Sequence, residues 1–374
     1  MAGRTQQALY SEIDLALSWS EDQLPQVERT KHVHALHPYL GKYVPQLVET
    51  FLHRYFKPGD WIFDPFVGSG TTLVETNVFG GHAVGCDISA FNCLLSRSKT
   101  THYALAPTEL ALKGALAEAR QNGPADISGA SQWLKDWYSP RALGELLAYR
   151  NAIAELDDPV WDVARVILSR SARSARLTTH YDLDFPRSPR HDPYHCHKHK
   201  KTCTPVDEAA KFLSRYTVDT VRRLRSFATL QRSLSVDVIH EDSQIVELPT
   251  TANGVITSPP YPGLIDYHEQ HRYAYELLGL TDRRPEEIGA ARRGTSRSAL
   301  ADYKTSIGGV FRNAVDQMTP GGIVVIVVND AKSLYPDILA DAGLTLQNEL
   351  IRHVNRRTGR RAGEFFESIL ICRS

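Results

Sequence analysis

The chain of 374 residues is 42% apolar and 23% charged, which fits a soluble globular protein with one large α/β domain and an insertion, or with two modest domains. Lysine plus arginine equals aspartate plus glutamate at 43 each, so a nucleic-acid partner would have to be met by local basic patches rather than by overall charge. No apolar run reaches the roughly 18 residues of a membrane helix, the start has no apolar core of a secretion signal, and five scattered cysteines suit a reducing cytoplasm.

Residues 1–30 read as a polar lead-in. His37-Pro38-Tyr39 opens a segment that runs through Lys42 and Pro45 into helical apolar spacing over 46–55. Pro58-Gly59-Asp60 is a turn, Trp61-Ile62-Phe63 a buried strand ending at Asp64, and 71–79 a helix closed by Gly80-Gly81. A second strand over 82–86 ends at Asp87. Strand, glycine turn, helix, strand and acid is the order a nucleotide-binding α/β unit requires. Residues 96–234, rich in Ala, Leu and Arg, break this rhythm and predict a largely helical insertion, a candidate target-recognition region, with an exposed, proline-broken loop at 188–199. The α/β pattern then resumes with strands over 235–240 and 254–257. A turn at Thr319-Pro320-Gly321-Gly322 precedes the strongest strand of the chain, 323–328, and 365–371 forms the last. The expected organisation is a lead-in (1–30), a cofactor-binding part (31–95), the helical insertion (96–234) and a catalytic part (235–374).

Two stretches carry the chemistry. In Gly68-Ser69-Gly70 the missing Cβ atoms let a ligand approach the backbone and permit positive φ. The helix that follows begins with free N–H groups, and Asp87 could accept hydrogen bonds from ribose hydroxyls. In Ser258-Pro259-Pro260-Tyr261 the prolines fix φ and remove N–H donors, so the corner is stiff and its carbonyls point in set directions. An exocyclic amine is a weak nucleophile because its lone pair is delocalised into the ring. Ser258 Oγ and the Pro259 carbonyl could each accept one of its N–H bonds and turn the lone pair outward. Tyr261 offers a flat face for a flipped-out base. A polyproline linker is the plain alternative, but the apolar strand leading directly into the corner argues against it.

Asp64-Pro65-Phe66-Val67-Gly68-Ser69-Gly70-Thr71-Thr72 resembles the cofactor motif of the DNA amino-methyltransferases. Thr257-Ser258-Pro259-Pro260-Tyr261 resembles their catalytic motif, in the Ser-Pro-Pro-Tyr form typical of enzymes acting on cytosine N4 rather than the Asp-Pro-Pro-Tyr form commoner for adenine N6. His37-Pro38-Tyr39 with Lys42 and Pro45 resembles the segment that lies against the methionine end of the cofactor. The resemblance covers residues 31–95 and 236–374. It implies a Rossmann-like class I α/β fold, S-adenosyl-L-methionine as cofactor, double-stranded DNA as substrate, functional pairing with a restriction endonuclease, and a cytoplasmic location. The implied cofactor residues are Lys42, Asp64, Phe66, Gly68, Gly70, Thr71, Asp87 and Asp242, with Asp87 on the ribose and Asp242 near the adenine. The implied catalytic set is Ser258, Pro259, Pro260 and Tyr261, with Tyr267 and Arg272 as further contacts. No cysteine follows a proline, which argues against the cytosine C5 enzymes and their cysteine nucleophile. Adenine N6, an amine in RNA, and a non-catalytic nucleic-acid-binding role stay open as alternatives.

Basic groups occur at Lys198-His199-Lys200-Lys201, Arg222-Arg223-Leu224-Arg225, Arg292-Arg293 with Arg297, and Arg356-Arg357 with Arg360-Arg361, the last read as a phosphate-binding loop. His195, Cys196, His197, His199 and Cys203 are zinc-ligand types. Their spacing matches no common finger, and a basic DNA-facing loop accounts for them, so no metal ligand is expected.

Overall fold

The computed structural model describes residues 17–180, 182–183, 186–354 and 365–374. The strands in chain order are Trp61–Asp64 (β1), His82–Asp87 (β2), Tyr194–Cys196 (β3), Lys201–Cys203 (β4) and Val236–His240 (β5). Ala252–Thr257 (β6), Met318–Val328 (β7), Thr345–His353 (β8) and Phe366–Arg373 (β9) complete them. Seven of these form one sheet in the order β5-β2-β1-β6-β7-β9-β8. β5, β2, β1, β6 and β7 pair in parallel, and β9 runs antiparallel between β7 and β8.

Continuous apolar strands are what a sheet covered on both faces demands, and alternate residues here serve two helical layers. Ile62, Ile256, Val325, Val327, Ile369 and Ile371 pack on one side with Leu47, Val48 and Phe51 of the helix Pro45–Tyr55 (α1). Phe63, Val255, Val324, Ile326, Leu370 and Cys372 pack on the other side with Tyr303, Ile307 and Phe311 of a long helix, Arg297–Asp316. Between β1 and β2 lies Thr71–Phe79 (α2), buried from Thr71 to Asn77; its end is set by Gly80 at φ 105°, whose N–H reaches the Asn77 and Thr76 carbonyls. After β2 comes Ala90–Thr100 (α3), capped by the Ser89 hydroxyl, which accepts from the Asn92 N–H.

Residues 105–228 hold five helices: Leu105–Asn122 (α4), Gln132–Trp137 (α5), Pro140–Ala152 (α6), Val160–Ala175 (α7) and Ala210–Ala228 (α8). Their core is continuous with Phe91, Leu94 and Leu95 of α3 and with Tyr273 and Leu277 from beyond β6. The helices therefore pack onto the outside of the sheet layer. Among the described residues no helix is long and apolar enough to cross a membrane.

Three expectations change. Thr319-Pro320-Gly321-Gly322 is no turn before the strand but a bulge within β7: Ala252 faces Met318 while Gly254 faces Ile323. Gly321, at φ 73°, absorbs the extra residues. The tract at 188–199 is not all loop, since β3 and β4 form a hairpin there. β8 is a strand that the sequence reading lacks; five of its residues are exposed from its start, so it shows no apolar run. The arginines at 356, 357, 360 and 361 fall outside the described residues.

Candidate active site

Because β1 and β6 are adjacent and parallel, their carboxyl ends lie at the same edge of the sheet. That is the edge where open α/β sheets bind ligands. The glycine turn and the proline corner, far apart in the chain, are thereby brought together. A direct bond joins them: the Thr257 hydroxyl donates to Asp64 Oδ1 at 2.6 Å, and the Phe66 N–H reaches the same oxygen at 3.1 Å. Thr72 Oγ1 donates to the Ile256 carbonyl at 3.1 Å and also bonds the Tyr43 hydroxyl. Asp64 is 1% exposed, and burial pushes its carboxyl up to about 6 despite the hydrogen bonds it accepts. It ties the two stretches together from below.

Above this junction opens a solvent-connected cavity. Lys42, Phe66, Gly68, Thr71, Asp87 and Asp242 line it, as do Ser258 and Pro260 of the corner. Asp64 and Gly70, expected among the cofactor residues, are not in its wall. Asp64 lies beneath the floor, and Gly70 is the N-cap of α2, at φ 77°, backed against Ser96.

The loop geometry is set by Asp87. Its Oδ2 accepts from the Gly68 N–H at 2.9 Å and from Asn92 Nδ2 at 3.1 Å, and its Oδ1 accepts from the Ser89 N–H at 2.8 Å. Burial raises its pKa, and those donors oppose the rise. Lys42 Nζ donates to the His34 carbonyl at 2.7 Å, and burial lowers its pKa to about 8. Asp242 orders its own turn, accepting from the Gln244 N–H at 2.9 Å.

Tyr39 and Tyr267, both marked in the sequence, line the cavity, while Glu286, Glu287 and Ile288 escaped the sequence reading. Tyr39 stacks on Tyr267 at 5.6 Å and on His271 at 5.4 Å, making an aromatic wall. Glu287 accepts from the Tyr267 N–H at 2.7 Å and meets His268 Nδ1 at 2.9 Å, which brings the loop carrying Glu286 and Ile288 over the cavity. No motif marks that loop; it follows the corner only through these bonds. Arg272 lines no cavity: it pairs with Glu276 at 3.1 Å and lies over Trp133. Arg222 and Arg223 share Asp219 with Arg170, Arg225 shares Glu109 with Lys113, and Arg292 pairs with Asp266.

The proline corner stands between this cavity and a second recess of about 670 Å³. Ser258 and Pro260 face the first, while Tyr261 and Pro262 face the second with Asn329, Asp330, Tyr335 and Phe365. The Ser258 hydroxyl donates to the Val327 carbonyl at 2.9 Å, which makes its oxygen an acceptor, and its side chain also meets the Tyr261 hydroxyl. Tyr261 donates to Glu367 Oε1 at 3.0 Å, and Arg352 holds the other Glu367 oxygen at 2.8 Å. Tyr303 donates to the Pro260 carbonyl at 2.9 Å. Pro259 is buried. A ligand in one cavity and a planar group in the other would meet across a rigid corner with hydrogen-bond acceptors.

Residues 7–97 match a family model described as DNA methylase, N6_N4_Mtase. Across 93% of this chain and 81% of its own length, the type II methyltransferase M.MjaII of Methanocaldococcus jannaschii is 35% identical. The chain belongs to the DNA amino-methyltransferase family. A second relative, the type II methyltransferase M.BsoBI of Geobacillus stearothermophilus, is 22% identical over 82% of this chain and 66% of its own length. Among solved structures, the rRNA methyltransferase aviRa from Streptomyces viridochromogenes aligns with 90% of this chain and 88% of its own, at 11% identity and a TM-score of 0.34. The family-model match covers about the first quarter of this DNA methyltransferase, the glycine turn included, and M.MjaII extends the similarity over the rest. The methyltransferase uses S-adenosylmethionine, and the cavity suits it: carboxylates outnumber the single lysine around a cationic sulfonium, and Gly68 clears backbone space. When bound, the cofactor supplies an electrophilic methyl group.

Proposed function

We propose that this DNA methyltransferase methylates the exocyclic N4 amine of cytosine at a specific site in duplex DNA, as the modification half of a restriction–modification pair. The observation that carries the reading is Ser258 on the partition between the two cavities, its proton donated to the Val327 carbonyl and its oxygen left as an acceptor beside the Tyr261 hydroxyl. In this reading a cytosine swings out of the helix and stacks on Tyr261. Ser258 Oγ and the Pro259 carbonyl accept its N–H bonds and aim the nitrogen lone pair through the partition. With the cofactor bound, the nitrogen would take up the methyl group, the electron pair of the broken bond would stay with the cofactor, and one amine proton would leave to solvent. Orientation and stabilisation of the positive charge growing on nitrogen carry the rate.

Lys42 faces the cofactor carboxylate, Asp87 the ribose hydroxyls and Asp242 the adenine. Residues 96–234 contribute to reading the DNA, with exposed Lys198, Lys200 and Lys201 as phosphate contacts. Serine where adenine N6 enzymes commonly carry aspartate supports cytosine. The test is transfer of a labelled methyl group to plasmid DNA, followed by digestion and mass spectrometry of the nucleosides. N4-methylcytosine is the expected product; N6-methyladenine alone overturns the assignment. Pairing with a nuclease is tested by challenging the modified plasmid with restriction enzymes of known specificity, and full sensitivity to all of them argues against protection.

A further inference from the structure

The hairpin β3–β4 has almost no apolar support. Its buried cluster consists of Tyr194, Cys196 and Cys203. Strands of three residues with so small a core do not hold together in water by themselves. Within that cluster the chain converges four soft or borderline donors from two places: Cys196, His199 and Cys203 of the hairpin, and His180 from the segment after α7. Their donor atoms all lie within 4.8 Å of one another.

We propose that His180, Cys196, His199 and Cys203 bind one structural zinc ion that clamps the hairpin to the segment after α7. The distances fit a tetrahedron. Zinc bonds of about 2.3 Å to sulfur and about 2.05 Å to nitrogen, at the tetrahedral angle, separate sulfur from nitrogen by about 3.6 Å. Cys196 Sγ lies 3.6 Å from His180 Nδ1 and 3.6 Å from His199 Nδ1, and His199 Nδ1 lies 3.4 Å from Cys203 Sγ. A neutral imidazole has one N–H, so His199 Nδ1 cannot make a good hydrogen bond to two thiols at once; a shared cation satisfies all three contacts. The turn is built for this. Lys200, at φ 52°, sends its N–H back to the Cys196 carbonyl at 2.7 Å, and the turn sets Nδ1 of the solvent-exposed His199 against both sulfurs. The Tyr194 hydroxyl takes the His180 backbone N–H at 2.9 Å and holds that residue against the hairpin; it also lies 2.9 Å from His180 Nδ1, a contact that zinc at that nitrogen would replace.

A disulfide is the competing use of the cysteines. Cys196 is opposite Lys201 and Cys203 opposite Tyr194, so the two are diagonal neighbours on one face, and both are free thiols. Two thiolates with two imidazoles select zinc over the hard cations. A Rieske-type cluster also takes two cysteines and two histidines but holds each pair on a separate iron, whereas these four donor atoms all lie within 4.8 Å of one another, as the ligands of a single ion do. The neighbours His195, His197 and Lys198 point to solvent. The sequence reading assigned no metal because it looked within the tract and so lacked His180, which folding alone brings in.

The test uses the full chain without a histidine tag, grown with added zinc and analysed by inductively coupled plasma mass spectrometry. About one zinc per chain is expected for a closed structural site. Cys203→Ser and His180→Ala should each lose most of it, while the exposed His195→Ala and His197→Ala keep it. S-adenosylmethionine affinity, measured on every variant, should stay unchanged and certify the fold. As a measurement free of variants, cobalt exchanged into the wild-type protein should give the strong visible bands of a tetrahedral thiolate site. Zinc below about a tenth per chain, zinc retained by a Cys196→Ser/Cys203→Ser double variant, or a Cys196–Cys203 disulfide found by peptide mapping would each overturn the proposal.

Discussion

Lys42 holds its ammonium beside the His34 carbonyl in surroundings that lower its pKa to about 8, burial being the chief cause. An unfolded lysine titrates near 10.4, so the folded site disfavours the charged form; that costs stability below pH 8, and the cost fades as pH rises toward 10. Cofactor binding works in the opposite sense. A carboxylate arriving next to Lys42 favours the ammonium and raises its pKa, so above pH 8 binding must take up a proton. Affinity should therefore be level between pH 6.5 and 7.5, then fall by up to about tenfold per unit above 8. Calorimetry in two buffers of different ionisation enthalpy would reveal the proton uptake. Lys42→Met should bind about tenfold more weakly at pH 7 and lose the pH dependence, and an unchanged profile in that variant would assign the titration elsewhere. At Ser258 the expected pattern differs. On the proposed reading Ser258→Ala removes an acceptor for the amine, so turnover should drop about 100-fold while cofactor affinity moves less than about threefold. The residue types at both positions were readable from the sequence. Their partners, a carbonyl from the segment before Lys42 and a carbonyl from β7, were not, because both bonds are made by backbone atoms that carry no sequence signal.

At the level of elements, the junction of β6 with β7 has the least room for change. A Cβ on Gly254 would lie 2.3 Å from Phe56 Cε1 and 2.6 Å from the Ile323 carbonyl oxygen. Gly254→Ala must separate β6 from β7 or displace Phe56, and overpacking of this kind costs about 1–3 kcal/mol. Urea unfolding should show a lower midpoint with an unchanged slope. Turnover should also fall, since β6 carries Ser258 at its end; a variant as stable and active as the parent would mean that the close contact relaxes freely. The strands around this junction were legible because they are buried on both faces and so apolar throughout. β8 pairs on one side only, at the sheet edge, and its exposed residues erase the pattern. The β7 bulge hid behind a proline–glycine pair that looks like an ordinary turn, and the parallel partner that turns it into a bulge lies elsewhere in the chain.

At the level of the whole molecule, parallel order sets the reaction site. β1 and β6 are neighbours, so the turn after one and the corner after the other share an edge, and the corner divides one cavity from another. Motif spacing in the sequence pointed to both stretches but not to the partition, which exists only once Tyr303, Val327 and Glu367 fix the corner from three separate elements. A partition predicts separable defects. Asp87 touches only the cofactor side, where it also holds the Gly68 N–H, so Asp87→Ala should weaken cofactor binding tenfold or more and leave turnover at saturating cofactor within about threefold. Tyr261 touches only the second recess, so Tyr261→Ala should leave cofactor affinity intact and cut turnover about 100-fold through lost stacking and a loosened corner. Tyr261→Phe keeps the ring and gives up the hydroxyl's bond to Glu367, which Arg352 still pairs, and its contact with Ser258, which stays anchored on Val327, so it should retain most activity. Cofactor titration and single-turnover methyl transfer on the three variants measure the two sides independently. If Asp87→Ala and Tyr261→Ala lose affinity and turnover in equal proportion, the cavities act as one site and the corner is not a divider.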